Sequence, residues 1–346
     1  MFRIFIEEAI LKEVIDSESQ KTESTRSYLY KVMRLLKTLY VSADEPDNGW
    51  AEHLKQRHSI VADYSKSDYI KGISEHPETV LQNPSSLFIL DIPIAEAMKI
   101  RTAYGVFCFS GENTNIAQLI DTNDEHTTDD NEPMGNGWST VLKSVKNLPS
   151  NALLLTDRYL FSGYLQKAGN GIDNVRSILD TLLPEKFIGE YHVTIVFDND
   201  SKNKKYISFN EIATQLNKVK QALHRDYPIN MEVLGMTPDC NLYNELHNRR
   251  IISNYYIIKV EHKLAAFNGN RGTCMQTITP QTLFTIDSLN RNSTPPLKAI
   301  DHAIADIRDF SLSASRFDDS PDYYYALNGN CKGSVRRFYY SYTSII

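Results

Sequence analysis

The chain has 346 residues, of which 41% are hydrophobic and 23% are charged, a composition that excludes a chain disordered throughout and a length that suits about two domains. Residues 1–150 carry 15 Lys and Arg against 23 Asp and Glu, whereas residues 151–346 carry 22 against 20. This charge balance excludes a protein that coats nucleic acid through a broad basic face. It is compatible with a confined basic pocket in the second half of the chain. Without a span-length apolar run or a secretory signal, we expect a cytoplasmic protein.

Residues 1–115 are expected to form a small acidic α/β module. An alternating apolar pattern opens the chain and predicts a strand, and apolar residues at helical spacing in 24–41 predict a helix. The later elements of this module are, in order, a buried strand at 85–93, a helix at 94–103 and a short strand at 104–110.

Residues 116–149 are predicted to form a polar linker. The acidic run inside it lacks the spacing of a calcium-binding loop, and such runs are usually solvated. The four cysteines form no C-x-x-C pair, and the glycines after residue 266 lack the spacing of a phosphate-binding P-loop. We therefore predict no metal and no cofactor.

From residue 150 to about 275 the sequence predicts strands and helices in a clear order. Apolar runs predict strands, and the spacing of Ile212, Leu216, Val219 and Leu223 predicts an amphipathic helix that ends before Pro228. The whole segment predicts the order β-α-β-α-β-β-β. Residues 276–346 are expected to add a helical and aromatic C-terminal extension, so the fold class is α/β.

The string from His247 to Asn254 is the most informative part of the sequence. On a strand, His247 and Arg249 would project from the same face, because they are two residues apart. Arginine grips two phosphate oxygens, while histidine attacks phosphorus or donates a proton. The alternative is structural: His247 ends a loop and Arg249 pairs with Glu245 or Glu261.

This string resembles the H-x-K-x-x-x-x-D signature of the phospholipase D superfamily. His247 stands at the histidine, Arg249 at the lysine and Asn254 at the aspartate. The β-α-β-α-β-β-β order of 150–275 also resembles the domain of that superfamily. The resemblance implies that His247 is the nucleophile towards a phosphodiester, that Arg249 stabilises charge on its oxygens and that Asn254 orients the histidine.

Further substrate-binding residues are predicted where the first strand of this domain ends. Asp157, Arg158 and Tyr159 end that strand at what should be the same edge of the sheet as the motif, and Lys263 lies on the strand after the motif. The alternative for Arg158 is an ordinary salt bridge at the end of a strand.

The superfamily site needs two histidine motifs and this chain has one. Either two chains share a site in a homodimer, or the site binds phosphate without catalysis.

Two functions follow from these expectations. The first is phosphodiester recognition, with metal-independent cleavage of nucleic acid by a homodimer, as in a nuclease of bacterial antiviral defence. The second is a non-catalytic adaptor whose site binds phosphate, nucleotide, nucleic acid or a lipid head group. In both, the N-terminal module is a candidate for recruiting a protein partner.

Overall fold

The computed structural model describes most of the chain. The described residues are 2–18, 21–22, 26–36, 38–42, 63–66, 69–112, 116, 121–161, 170–199, 207–237, 248–313 and 323–326. They divide into two compact units, the first from Met1–Asp121 and Leu283–Leu297 and the second from Thr122–Thr282 and Lys298–Phe338. The fold is α/β, as predicted.

The first unit is built on a five-stranded parallel sheet. Its strands are β1 (Arg3–Glu7), β2 (Thr38–Ser42), β3 (Asp63–Lys66), β4 (Ser86–Leu90) and β5 (Phe107–Ser110). Their spatial order is β3-β2-β1-β4-β5, and every neighbouring pair is parallel. The strands β1 and β4 are almost continuously apolar because both faces of a parallel sheet are buried.

Helices join these strands. They are α1 (Glu8–Glu18), α2 (Tyr28–Leu36) and α3 (Ile94–Tyr104), with a 3-10 turn at Pro77–Gln82. Gly105 ends α3 in the left-handed conformation with φ of 60°, which glycine adopts without steric cost. The helix predicted over 24–41 corresponds to α2, which ends at Leu36 because the chain enters β2 at Thr38. After the second unit, α7 (Ile286–Asn290) returns to the first unit.

The second unit contains an eight-stranded mixed sheet. In chain order its strands are β6 (His126–Thr128), β7 (Ala152–Asp157), β8 (Tyr191–Asp198), β9 (Ile229–Met236), β10 (Arg250–Ser253), β11 (Tyr256–Val260), β14 (Gln276–Thr282) and β15 (Tyr323–Ala326). Their spatial order is β15-β9-β8-β7-β10-β11-β14-β6. The strands β7, β8 and β9 are parallel, and the other neighbouring pairs are antiparallel.

Helices and a small hairpin complete this unit. The helices are α4 (Trp138–Val141), α5 (Gly171–Leu182) and α6 (Phe209–Ala222), together with α8 (Pro295–Ser313) from Lys298 onward, and the hairpin pairs β12 (Phe267–Asn268) with β13 (Arg271–Gly272). A capping box at Ser208 and Glu211 fixes the start of α6. One apolar core joins α4, α5 and α6 to β7, β8 and β9.

The predicted linker over 116–149 differs from the structure. Residues 126–128 form β6 at one edge of the sheet of the second unit, and residues 138–141 form α4 within its core. The boundary between the units lies at Asp121 and Thr122 instead. The predicted boundary at 275 also shifts, because β14 belongs to the sheet while residues 283–297 belong to the first unit.

Among the described helices, none has both the length and the apolar character needed to cross a membrane.

Candidate functional site

Three chain segments meet at one edge of the sheet of the second unit. The strand β7 ends there at Asp157, and the antiparallel β10 starts there, since Arg250 pairs with Thr156. The strand β11 runs back from β10 and ends at the same edge, where Lys259 pairs with Arg250. The topology therefore brings the residues after β7, before β10 and after β11 together.

Asp157 lies at the centre of this edge and has no exposed surface. Its Oδ1 accepts the backbone N–H of Tyr159 at 2.8 Å, and its Oδ2 accepts that of Leu264 at 2.5 Å. Burial raises the pKa of the Asp157 carboxyl to about 6, against these hydrogen bonds and the attraction of Arg249 and Lys263. Asp157 is thus closed to solvent. It lies beneath the surface, where it cannot touch a substrate directly as predicted.

Arg249 reaches over this carboxylate. Its Nη1 donates to the carbonyl oxygen of Glu261 at 3.0 Å, and its Nε lies 3.9 Å from Oδ1 of Asp157. The guanidinium carbon lies 5.4 Å from the centroid of the Tyr159 ring. Since β10 begins at Arg250, Arg249 precedes the strand rather than lying within it as predicted. The alternative pairing with the Glu261 carboxylate is replaced by a bond to its carbonyl.

Arg158 and Tyr159 border Arg249. Arg158 forms an ion pair with Asp198 at the end of β8, with Nε 3.2 Å from Oδ2, which is the strand-end salt bridge considered above. Its guanidinium carbon also lies 5.4 Å from the Tyr159 ring centroid. Tyr159 keeps 39% of its surface exposed, so an aromatic ring accompanied by two guanidinium groups is open to solvent.

Lys263 is the third cation at this edge. Its backbone N–H and that of His262 donate to Oε1 of Gln276, each at 3.0 Å. Its ammonium group lies near enough to Asp157 to favour the ionised carboxylate. Gln276 is 1% exposed and holds this turn in place. This role could not be predicted, because Gln276 lies among polar and β-branched residues that carry no functional motif. We call Arg158, Arg249 and Lys263 the cationic cluster.

The structure does not bring Asn254 to this cluster. Asn254 follows β10, at the edge of the sheet where β7 begins, and is 2% exposed. Its Oδ1 accepts the backbone N–H groups of Asn151 at 3.1 Å and Ala152 at 3.0 Å. Its side chain is therefore engaged at the start of β7, at the opposite end of β10 from Arg249. His247, the histidine that Asn254 is predicted to orient, lies outside the described residues, so this role stays a prediction.

In the part of the chain that the structure describes, no group of three or more His, Cys, Asp or Glu side chains is arranged to hold a metal ion. The cluster combines arginine and lysine side chains, which are the residue types that bind anions in proteins, with an exposed ring and one buried carboxylate. No protein-family model matches the sequence, and no curated protein matches it either.

Proposed function

We propose that the second unit recognises phosphodiesters at the cationic cluster. The observation that carries this proposal is the meeting of Arg158, Arg249 and Lys263 at one sheet edge, from segments up to about 100 residues apart in sequence. Arginine binds phosphate oxygens through its planar fork, and lysine adds a compact charge. Two buried or partly buried carboxylates, Asp157 and Asp198, hold the arginines in place, so the site is organised before a ligand arrives.

A binding experiment tests this proposal. Arg249→Ala should weaken binding of a short oligonucleotide by about 10- to 100-fold, the effect of losing a charge-assisted hydrogen bond. Arg271→Ala, which removes an exposed arginine of the β13 hairpin, is the matched control and should leave affinity unchanged. Affinity should also fall as salt rises. Equal affinity of the two variants would contradict the proposal.

Catalysis is the stronger form of the proposal. In it, His247 attacks phosphorus and the same residue of a second chain protonates the leaving oxygen, as the resemblance to the phospholipase D superfamily implies. Such a homodimer would cleave nucleic acid without a metal, as a nuclease of bacterial antiviral defence. Hydrolysis of bis-p-nitrophenyl phosphate in EDTA, lost in His247→Ala, tests this form, and a monomer by light scattering would contradict the shared site.

A non-catalytic adaptor is the second candidate, and the position of Asn254 favours it. The side chain that would orient the histidine is engaged at the other edge of the sheet, and arginine replaces the lysine of the signature. Retained oligonucleotide binding without hydrolysis would support this function. Flotation with liposomes that contain anionic lipid separates a lipid head group from nucleic acid as the bound phosphodiester.

A further inference from the structure

The Asp157 carboxylate joins three segments of the site. It accepts the N–H of Tyr159 just after β7 and the N–H of Leu264 in the turn after β11, and it faces Arg249 just before β10. Both oxygens are therefore occupied by donors. An amide side chain at this position would turn an NH2 group towards one of these N–H donors, whereas a carboxyl group keeps acceptor capacity on both oxygens even when it is protonated.

Arg249 depends on the charge of this carboxylate. Its Nε is buried and has no hydrogen-bond partner, and it lies 3.9 Å from Oδ1 of Asp157, too far for a hydrogen bond. One direct bond, from Nη1 to the Glu261 carbonyl, holds the other end of the group. Its side chain keeps 16% of its surface exposed, so part of Arg249 reaches solvent. Electrostatic attraction thus sets where Arg249 lies.

The groups that face Asp157 among the described residues are mostly cationic. Arg249 and Lys263 attract it directly, and Arg158 is neutralised by its own partner Asp198. His262 and Glu261 lie in the same turn, but their side chains are more than half exposed. An anion that binds between Arg249 and Lys263 would use the same two cations that now favour the ionised form of Asp157.

We propose that Asp157 is the positioning residue of this site and that binding of a phosphodiester is coupled to the uptake of one proton by its carboxylate. This inference rests on the proposed phosphate recognition. The negative ligand lowers the net attraction that Asp157 receives, so the carboxylate takes a proton from solvent and becomes a neutral acid. Binding and protonation are reciprocal, and affinity must rise as pH falls. Burial has already placed the pKa of Asp157 at about 6, within reach of neutral solution.

Calorimetric titration of the full chain with an unlabelled hexathymidylate with hydroxyl ends tests this coupling. This ligand carries diesters alone, so it does not titrate between pH 5 and 8. Heats measured at pH 6.5 in two buffers of different ionisation enthalpy should give net proton uptake. Affinity should rise about three- to tenfold from pH 7.5 to 6.5, one proton allowing at most tenfold per pH unit.

Two variants assign the proton to Asp157. His262→Ala should keep the uptake, because the His262 imidazole, which lies in the turn beside Lys263, does not carry the proton in our proposal. Asp157→Asn should bind with an affinity that no longer changes between pH 7.5 and 6.5. If Asp157→Asn does not fold, His262→Ala still decides: loss of proton uptake in that variant overturns the inference.

The two proposals fail in different ways. Binding without proton uptake, or uptake that persists in Asp157→Asn, overturns the coupling and leaves phosphodiester recognition standing. The absence of binding at every pH overturns both.

Discussion

Replacing Asn174 with alanine should strongly destabilise the second unit. Asn174 lies in α5 and is 2% exposed. Its Oδ1 accepts Nε1 of Trp138 at 2.7 Å and the N–H of Phe267 at 3.0 Å, while its Nδ2 donates to the Phe267 carbonyl at 2.7 Å and to the Asn170 carbonyl at 2.9 Å. One amide therefore connects α4, α5 and β12.

The cost follows from the groups that the substitution leaves behind. The indole N–H of Trp138 and the backbone N–H of Phe267 would lose this buried partner, whereas the Phe267 carbonyl keeps its hydrogen bond from Asn170. Each unsatisfied buried group costs about 1–3 kcal/mol, so Asn174→Ala should lower the free energy of unfolding by about 4 kcal/mol. Globular domains are stable by about 5–15 kcal/mol, and the variant should thus be close to unfolding.

Trp138 provides the measurement. The chain has 2 tryptophans, so a Trp50→Phe background makes fluorescence report on Trp138 alone during urea unfolding. Asn217→Ala, at an exposed position of α6, is the control and should change stability by less than about 0.5 kcal/mol. A loss below about 1 kcal/mol in Asn174→Ala would refute the reasoning, since it would mean that the two N–H groups find other partners.

Four further outcomes are expected in the same unfolding assay. Gly171→Ala should cost about 3 kcal/mol, because its Cβ would lie 1.8 Å from the carbonyl oxygen of Leu160. Asn254→Ala should cost about 3 kcal/mol by removing the side-chain acceptor of two buried N–H groups at the start of β7. Ser208→Ala should cost about 1 kcal/mol by removing the cap of α6. The folded pKa of Asp157, about 6, is raised above its ordinary value of 3.8, so the folded state binds more protons between these values. Relative to Asp157→Asn, the wild-type chain should therefore gain up to about 3 kcal/mol of stability as pH falls from 7 to 4, and a flat difference would contradict this.

Strongly patterned segments could be predicted from the sequence. The apolar runs that form β4, β7 and β8 and the capped amphipathic pattern of α6 each carry their own signal. The helix predicted over 24–41 is different, because its last apolar residues suit a strand as well as a helix. Pairing with β1 decides in favour of β2, and that pairing is not visible locally.

The polar strand β6 could not be predicted for a similar reason. Its three residues, His126 to Thr128, have no apolar alternation, and they form a strand because they pair with β14 about 150 residues later.

The position of the cationic cluster was partly predictable. The ends of neighbouring strands meet at one edge, which correctly placed Arg158, Tyr159, Arg249 and Lys263 near one another. The burial of Asp157 depends on the N–H of Leu264, 107 residues away, and left no local signal.

The division of the chain between the two units has a consequence for the order of folding during synthesis. The parallel sheet of the first unit is complete in the first 110 residues, yet its helix α7 is made only after Thr282. The ribosome must therefore produce nearly the whole sheet of the second unit before α7 emerges. The edge strand β15 is the last of the described strands to be translated. The first unit therefore lacks α7 until most of the second unit has been made, and the second unit lacks β15 until after α7.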